Sequence, residues 1–371
     1  GIRIIYLNGV LINKNTLAAS LADPTGVLTN VTGPITEPIS SPAISPKIIY
    51  TNSTVNKYLL VWEDFADLNG DIKAQIYTVG TGWGTSATAW SIAATSDLWE
   101  RYPVPAFDGT NFLVAYQRGA TGGTADIYGQ FATTAGANMA NPTSPFSIAA
   151  TPGVDEVTPG LAWNIGSCSA TPINRYMVAW GQGTTVKVRP VTTAGGVESV
   201  LTASVNTTST KLNPALAANP GGCEYLLTWS DNRSGTATPY DIYTQRVGYP
   251  NISNISPSAG GEGNTISING TGFGLDPGVG NRSTGTDNVK IGANQVPDSN
   301  MVVWTNTPSP RIDFAVPDGI TLGTYGTSVT AGGWISNALN FDVTLIVTTT
   351  TFPSGHQWLA YPGATLAASG G

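Results

Sequence analysis

One strand pair recurs four times along the chain and limits its fold more than any other feature. Each copy is an apolar strand ending in an aromatic residue, then a polar turn, then a second strand. Tyr58–Trp62 leads to Asp71–Gln75, and Phe112–Tyr116 leads to Asp126–Gln130. Tyr176–Trp180 leads to the diverged Val186–Arg189, and Tyr225–Trp229 leads to Asp241–Gln245. A proline-containing strand precedes each pair: Pro46–Tyr50, Pro103–Phe107, Pro159–Trp163 and Pro214–Ala218. Ser91–Thr95 and Ser147–Thr151 add a further short strand between units. A single meander of this kind leaves an apolar face open, so the units must stack on one another.

Composition agrees. The 371 residues include 44 Gly and 25 Pro, and only 11% are charged, against ~25% in an average soluble domain. No long window places good helix formers at helical spacing, so the chain reads as all-β. With 41% hydrophobic residues and ten Trp, it can bury a large core and is not a disordered chain. About four short strands per ~50-residue unit is the pattern of a β-propeller blade. The expectation is a small propeller of four clear blades. Residues 1–45 hold strand material (Ile2–Leu11, Gly26–Thr32) without an aromatic anchor. They form either a degenerate fifth blade or the missing outer strands of the last one. The units resemble the propeller-like repeats of secreted bacterial surface proteins, over about residues 1–248.

A second resemblance starts at Pro250. Pro250–Pro257, Gly260-Gly261 and Thr265–Gly274 are similar to the opening of an IPT/TIG domain, an immunoglobulin-like β-sandwich. Val289–Ile291, Ile312–Pro317, Gly323–Tyr325 and Leu339–Val343 continue the match. In Thr265–Asn269, Ile266 and Ile268 share one strand face, as do Phe341, Val343 and Leu345 further on. The resemblance implies a sandwich over 249–347, leaving 348–371 as a linker and tail.

Charge narrows the partners. Sixteen Lys and Arg against 23 Asp and Glu give a net charge of −7, with no basic stripe to neutralise a nucleic-acid backbone. No apolar run approaches the ~20 residues of a membrane span. Two Cys, three Met and few Lys describe an extracellular, cell-surface protein, and the opening at Gly1 reads as a processed end. Cys168 and Cys223 each precede an aromatic anchor, in the loop between the first two strands of their blades. A disulfide between them is expected, worth about 4 kcal/mol on the loop-entropy model.

Catalytic motifs are sparse. The single histidine, His356, lies in the tail, and no nucleophile elbow or phosphate-cradling glycine loop occurs. The local acid pairs Glu63/Asp64, Asp97/Glu100 and Asp155/Glu156 suit paired-carboxylate chemistry poorly, because adjacent strand residues face opposite sides. Asp64, Asp67, Asn69 and Asp71 could offer oxygens to calcium. Of these only the last Asp persists in the other repeats, as Asp126 and Asp241, so a turn-capping role is expected for it. No other cofactor is implied. Trp83, Trp90 and Trp99 are expected to close the core between blades rather than form a sugar-stacking platform.

These readings point to a non-enzymatic structural or adhesive surface protein that self-assembles into a polymer or filament. The alternatives are a carbohydrate-binding or carbohydrate-processing module of a secreted enzyme, and a monomeric receptor or adhesin ectodomain recognising a glycan or surface protein. Gly1–Leu7 is β-branched and nearly uncharged, so it must pair. Its strand, with Ile2, Ile4 and Tyr6, is expected to complete the fourth repeat in cis. Trp358 and Tyr361 in the tail are then the expected contact between copies.

Overall fold

Alternation of apolar and polar residues at a period of two produces short strands here, and turns rich in Gly and Asn return each strand on its neighbour. The computed structural model describes residues 2–10, 14–22, 28–30, 43–66, 69–79, 89–139, 145–166, 173–204, 209–219, 224–233, 240–274, 276–305, 309–347 and 368–369.

Five antiparallel sheets follow one another in the first part of the chain. The first is β1 (Ile2–Val10), β2 (Lys14–Ala22) and β3 (Leu28–Asn30). The second is β4 (Ala43–Tyr50), β5 (Lys57–Asp64), β6 (Asp71–Thr78) and β7 (Trp90–Ala93). The third is β8 (Trp99–Phe107), β9 (Asn111–Gly119), β10 (Ala125–Thr133) and β11 (Phe146–Ala149). The fourth is β12 (Val157–Gly166), β13 (Ile173–Gln182), β14 (Thr185–Thr192) and β15 (Leu201–Thr202). The fifth is β16 (Lys211–Ala218), β17 (Glu224–Asp231) and β18 (Asp241–Gly248). The fold is all-β, with a propeller-like series of meanders.

Stacking follows from two-faced burial. In β9, Phe112, Val114 and Tyr116 enter one core with Leu59, Val61 and Ile72 of the second sheet. The alternate residues Leu113 and Ala115 enter another core with Tyr176, Val178 and Trp180 of the fourth. The aromatic anchors Trp62, Tyr116, Trp180 and Trp229 are all buried, as their repeat position requires. The fifth sheet differs. Its Leu226 is 48% exposed and its Ile242 73%, whereas Leu59, Leu113 and Met177, and Ile72, Ile127 and Val186, at the matching positions are fully covered.

The N-terminal strand does not complete the fourth repeat. All nine residues of β1 pair with β2, β3 adds to the other edge of β2, and the fifth sheet keeps three strands. The local hairpin wins because it closes over a three-residue connection, whereas pairing with β18 closes a loop of most of the repeat region. The strands β1, β2 and β3 thus form a sheet of their own.

A second compact unit includes Val247–Gly371. That unit is a sandwich of two sheets. One contains β19 (Asn251–Ser256), and β20 (Ala259–Gly260) crosses to the other, pairing parallel with β28 below. Next come β21 (Thr265–Thr271), β22 (Asn288–Ile291), β23 (Asn294–Gln295), β24 (Met301–Thr305), β25 (Arg311–Ala315), β26 (Gly323–Ala331), β27 (Trp334–Ile335) and β28 (Leu339–Val343). The first sheet runs β19-β21-β25-β24 and the second β20-β28-β26-β22-β23, with β27 on β26. Ile266, Ile268, Ile312 and Phe314 from one sheet meet Val289, Ile291, Val329 and Phe341 from the other in a single core. The Asn337 amide closes the edge by bonding both the N–H and the C=O of Ile252. No helix among the described residues is long and apolar enough to cross a membrane.

Candidate functional site

The first strands of sheets two to five share an unusual backbone. Ser45, Tyr102, Thr158 and Asn213 have φ of 53°, 56°, 50° and 52°, and each immediately precedes a proline. A residue before proline prefers extended backbone, and left-handed φ costs a non-glycine residue of the order of 1–3 kcal/mol. The strand bulges there, with register slips between Ile44 and Lys47, Arg101 and Val104, and Leu212 and Ala215.

The preceding sheet holds three of the four bulges. The Tyr102 N–H donates to Glu63 Oε1 at 2.9 Å, and the Thr158 N–H to Gln117 Oε1 at 3.0 Å. Glu63 and Gln117 each follow an aromatic anchor. The matching residue in the fourth sheet is Gly181, where an added Cβ would lie 2.6 Å from the Lys211 carbonyl oxygen. With no side chain available there, the Asn213 N–H donates instead to Thr158 Oγ1 at 3.1 Å. Side chains at the four bulges meet solvent to differing degrees: Tyr102 is 42% exposed, Asn213 is exposed, and Ser45 and Thr158 are half-buried.

Three residues before each proline lies a buried position: Ala43, Glu100, Glu156 and Lys211. Its backbone N–H ties it to the turn of the preceding sheet, Glu100 to the Gly70 carbonyl at 2.8 Å and Glu156 to that of Ala125 at 2.7 Å. The Glu156 carboxylate accepts the Thr151 N–H at 3.1 Å. It also shares a hydrogen bond with Asp126, which is half-buried at the start of β10. Two carboxyls can bond this way only when one keeps a proton. Burial raises the pKa of Asp126, against the opposing charge of Arg118 and the Glu156 hydrogen bond, with the Asp155 charge adding to the rise. Burial likewise raises Glu156; the Thr151 bonds oppose it, and the Asp126 and Asp155 charges add to it. Asp155 is exposed, and its Oδ1 accepts the Ala125 N–H at 2.8 Å. Arg118 lies across the cluster, 3.4 Å over the Tyr128 ring.

The seam between sheets two and three also covers a carboxyl at this position. Burial raises Glu100, and the neighbouring Asp71 charge adds to the shift. The fifth sheet carries the opposite charge at the matching position and neutralises it within the sheet, where Lys211 and Asp231 pair across β16 and β17. Lys211 Nζ lies 3.4 Å from Asp231 Oδ2, with both side chains fully covered. Asp231 also accepts bonds from Arg233, Ser209 and Trp229, which outweigh its burial and hold its carboxyl well below the usual range.

The Asp that persists through the repeats is therefore not a simple turn cap: Asp126 reaches across a seam to Glu156, a residue of the next sheet. That pairing was missed because the two lie 30 positions apart. The signal was present, since Asp71 and Glu100 are spaced almost identically. The adjacent acids do split as expected, Asp155 exposed and Glu156 buried.

Other singled-out residues are dispersed. Asp64 accepts the Ala66 N–H at 3.1 Å, Asn69 donates to the Ser96 carbonyl at 2.8 Å, and Asp71 lies 3.8 Å from Lys73. Asp67 is outside the described residues. No group of three or more His, Cys, Asp or Glu that could hold a metal occurs among those described. Trp90 donates to Asn138 Oδ1 at 3.1 Å, and Trp99 packs over Gly119 with Arg101 on its ring at 5.2 Å. Trp83, Cys168, Cys223, His356, Trp358 and Tyr361 fall outside the described residues, as do the side chains of Ile2, Ile4 and Tyr6.

No family model matches the chain. It is similar to a cyclomaltodextrin glucanotransferase of Paenibacillus macerans, 35% identical over 98 residues, which is 26% of this chain and 12% of that relative. Among solved structures, an exo-beta-1,3-galactanase from Clostridium thermocellum aligns with a TM-score of 0.36 and 10% identity, over 92% of this chain and 80% of that one. A thermostable family-43 glycoside hydrolase aligns with a TM-score of 0.34 and 10% identity, over 80% of this chain and 92% of that one. The expectation of a non-enzymatic structural or adhesive protein that builds filaments is corrected by the curated relative it matches, a glucanotransferase.

Proposed function

We propose that this chain binds and processes carbohydrate as a module of a secreted enzyme. The observation that carries the reading is the Asp126–Glu156 pair. Asp126 is a half-buried acid that burial makes hold its proton to higher pH than an ordinary aspartate, and it lies against a second, buried carboxyl. A positioned acid of this kind protonates a leaving oxygen. Asp155, exposed beside it, is a second carboxylate in a wetter environment, the division of roles that glycosidic bond cleavage uses. Glu156 itself is fully covered and positions Asp126 through their hydrogen bond, which opposes the effect of burial on the Asp126 carboxyl. The similarity to a glucanotransferase supports carbohydrate as the substrate class. The second unit is then an IPT/TIG-like sandwich, carried by Pro250–Gly274, accompanying the propeller-like repeats outside the cell.

The test is release of reducing ends from a panel of neutral polysaccharides, followed against pH. Asp126→Asn should lower the rate by about 10²-fold or more with the circular dichroism spectrum unchanged. Asp155→Asn should lower it as well. A full panel with no product from the wild-type chain rejects the reading.

A further inference from the structure

We infer that the bulge residues Tyr102, Thr158 and Asn213, with Ser45 beside them, form one binding face for a neutral oligosaccharide. The inference rests on the proposed function for its ligand class, and it names a recognition surface separate from the acid pair.

The first argument is continuity. The four residues hold the same register position on the first strands of consecutive sheets. The Asn213 N–H on Thr158 Oγ1 joins two of them directly. The strands β12 and β16 run backbone against backbone, since a Cβ on Gly160 would lie 2.5 Å from the Pro214 carbonyl oxygen.

The second argument is residue choice. The bulge demands only a left-handed residue, and asparagine meets that demand most readily among residues with side chains. Asn213 shows that the fold accepts it. The third sheet instead carries a tyrosine there, a bulky residue against its backbone preference, with 42% of its surface in solvent. Burial does not explain it. Strain retained at an exposed position points to use of the side chain.

The third argument is chemistry. The row offers a serine and a threonine hydroxyl, a phenol and a carboxamide, and none of these carries charge at neutral pH. An exposed tyrosine ring stacks on the C–H face of a pyranose, and hydroxyl and amide groups exchange hydrogen bonds with sugar hydroxyls. Thr158 stands two residues from Glu156, about 7 Å along an extended strand, so a chain bound on the row passes beside the acid pair.

The experiment is calorimetric titration of the full chain with maltohexaose, cellohexaose and xylohexaose, with oligogalacturonate as the anionic control. At least one neutral hexasaccharide should bind, and the anionic one should bind at least 10-fold more weakly. Tyr102→Asn should weaken binding at least 10-fold with the melting temperature equal to or above that of wild type, while Tyr102→Phe should bind within about 2-fold. Asn213→Ser, which keeps a small polar group, should weaken binding a few-fold and serves as the second variant if Tyr102→Asn fails to fold. Tyr102→Asn binding like wild type overturns the inference, as does a wild-type chain that cleaves polysaccharide yet binds no neutral hexasaccharide. Binding that depends on Tyr102 in a chain without hydrolytic activity sustains the inference and removes the proposed function instead.

Discussion

The seam between the third and fourth sheets and the β16–β17 pair inside the fifth sheet solve one problem with opposite charges. At the position three residues before the bulge proline, the former places Glu156 and the latter Lys211, and both are fully covered or nearly so. Glu156 is accommodated by sharing a proton with Asp126, Lys211 by pairing with Asp231. A buried group in such a stack is tolerated either neutralised by a proton or neutralised by a counter-ion. The first solution leaves a proton that chemistry can use, and the second leaves none. This is why the candidate acid lies at the seam.

The largest effect should come from breaking the ion pair on its acidic side. Asp231→Ala leaves Lys211 charged and covered with only Ser209 as a bonding partner among the contacts described. It should cost about 3–5 kcal/mol in urea unfolding. A loss below about 1 kcal/mol would mean that water reaches Lys211. Next, Gly181→Ala forces a Cβ within 2.6 Å of the Lys211 backbone oxygen, with no flexible side-chain end to move. A loss of about 1–3 kcal/mol is expected from the same unfolding curves.

The two sites should also respond to pH with opposite sign. The Asp231 carboxyl is held low, so its contribution is present above its unfolded value near 4 and is lost as pH falls through the folded value. The Glu156 and Asp126 carboxyls are raised, so their contribution is present below about 4 and is lost as pH rises through the folded values. Glu156→Gln keeps an acceptor for the Thr151 N–H and a donor for Asp126. Relative to wild type it should gain stability progressively as pH rises from about 4 to 7, and a difference that is flat with pH would refute the shared proton. The smallest effect belongs to the open face of the fifth sheet. Leu226→Ala should change stability by less than about 0.5 kcal/mol, whereas Leu113→Ala at the matching covered position should cost about 2–5 kcal/mol. Equal losses would show that Leu226 is covered in solution.

The strand order of the repeats and the burial of Trp62, Tyr116, Trp180 and Trp229 were legible from residue order alone. Each depends on alternation within one strand and on a spacing repeated four times, and both are local properties of the chain. The sandwich core was legible for the same reason, through Ile266, Ile268, Phe341 and Val343. Local reasoning also supplied the candidate acids Asp155 and Glu156, but it discounted them as neighbours on opposite faces.

What only the tertiary structure decided lies across the seams. Whether Asp126 caps its own turn or bonds Glu156 depends on how the next sheet stacks, and residue order carries no term for that distance. The left-handed turn at Tyr102 is likewise invisible in Tyr-Pro, a dipeptide that favours extended backbone, because Glu63 in the preceding sheet supplies the acceptor that holds it. The N-terminal strand could pair in either of two ways, and closure of the short β1–β2 hairpin selected one of them. Sequence determined which segments become strands, because that is settled by each segment's own pattern of burial. The stacking determined which polar groups meet, because a buried carboxyl takes its partner from whatever the neighbouring sheet presents.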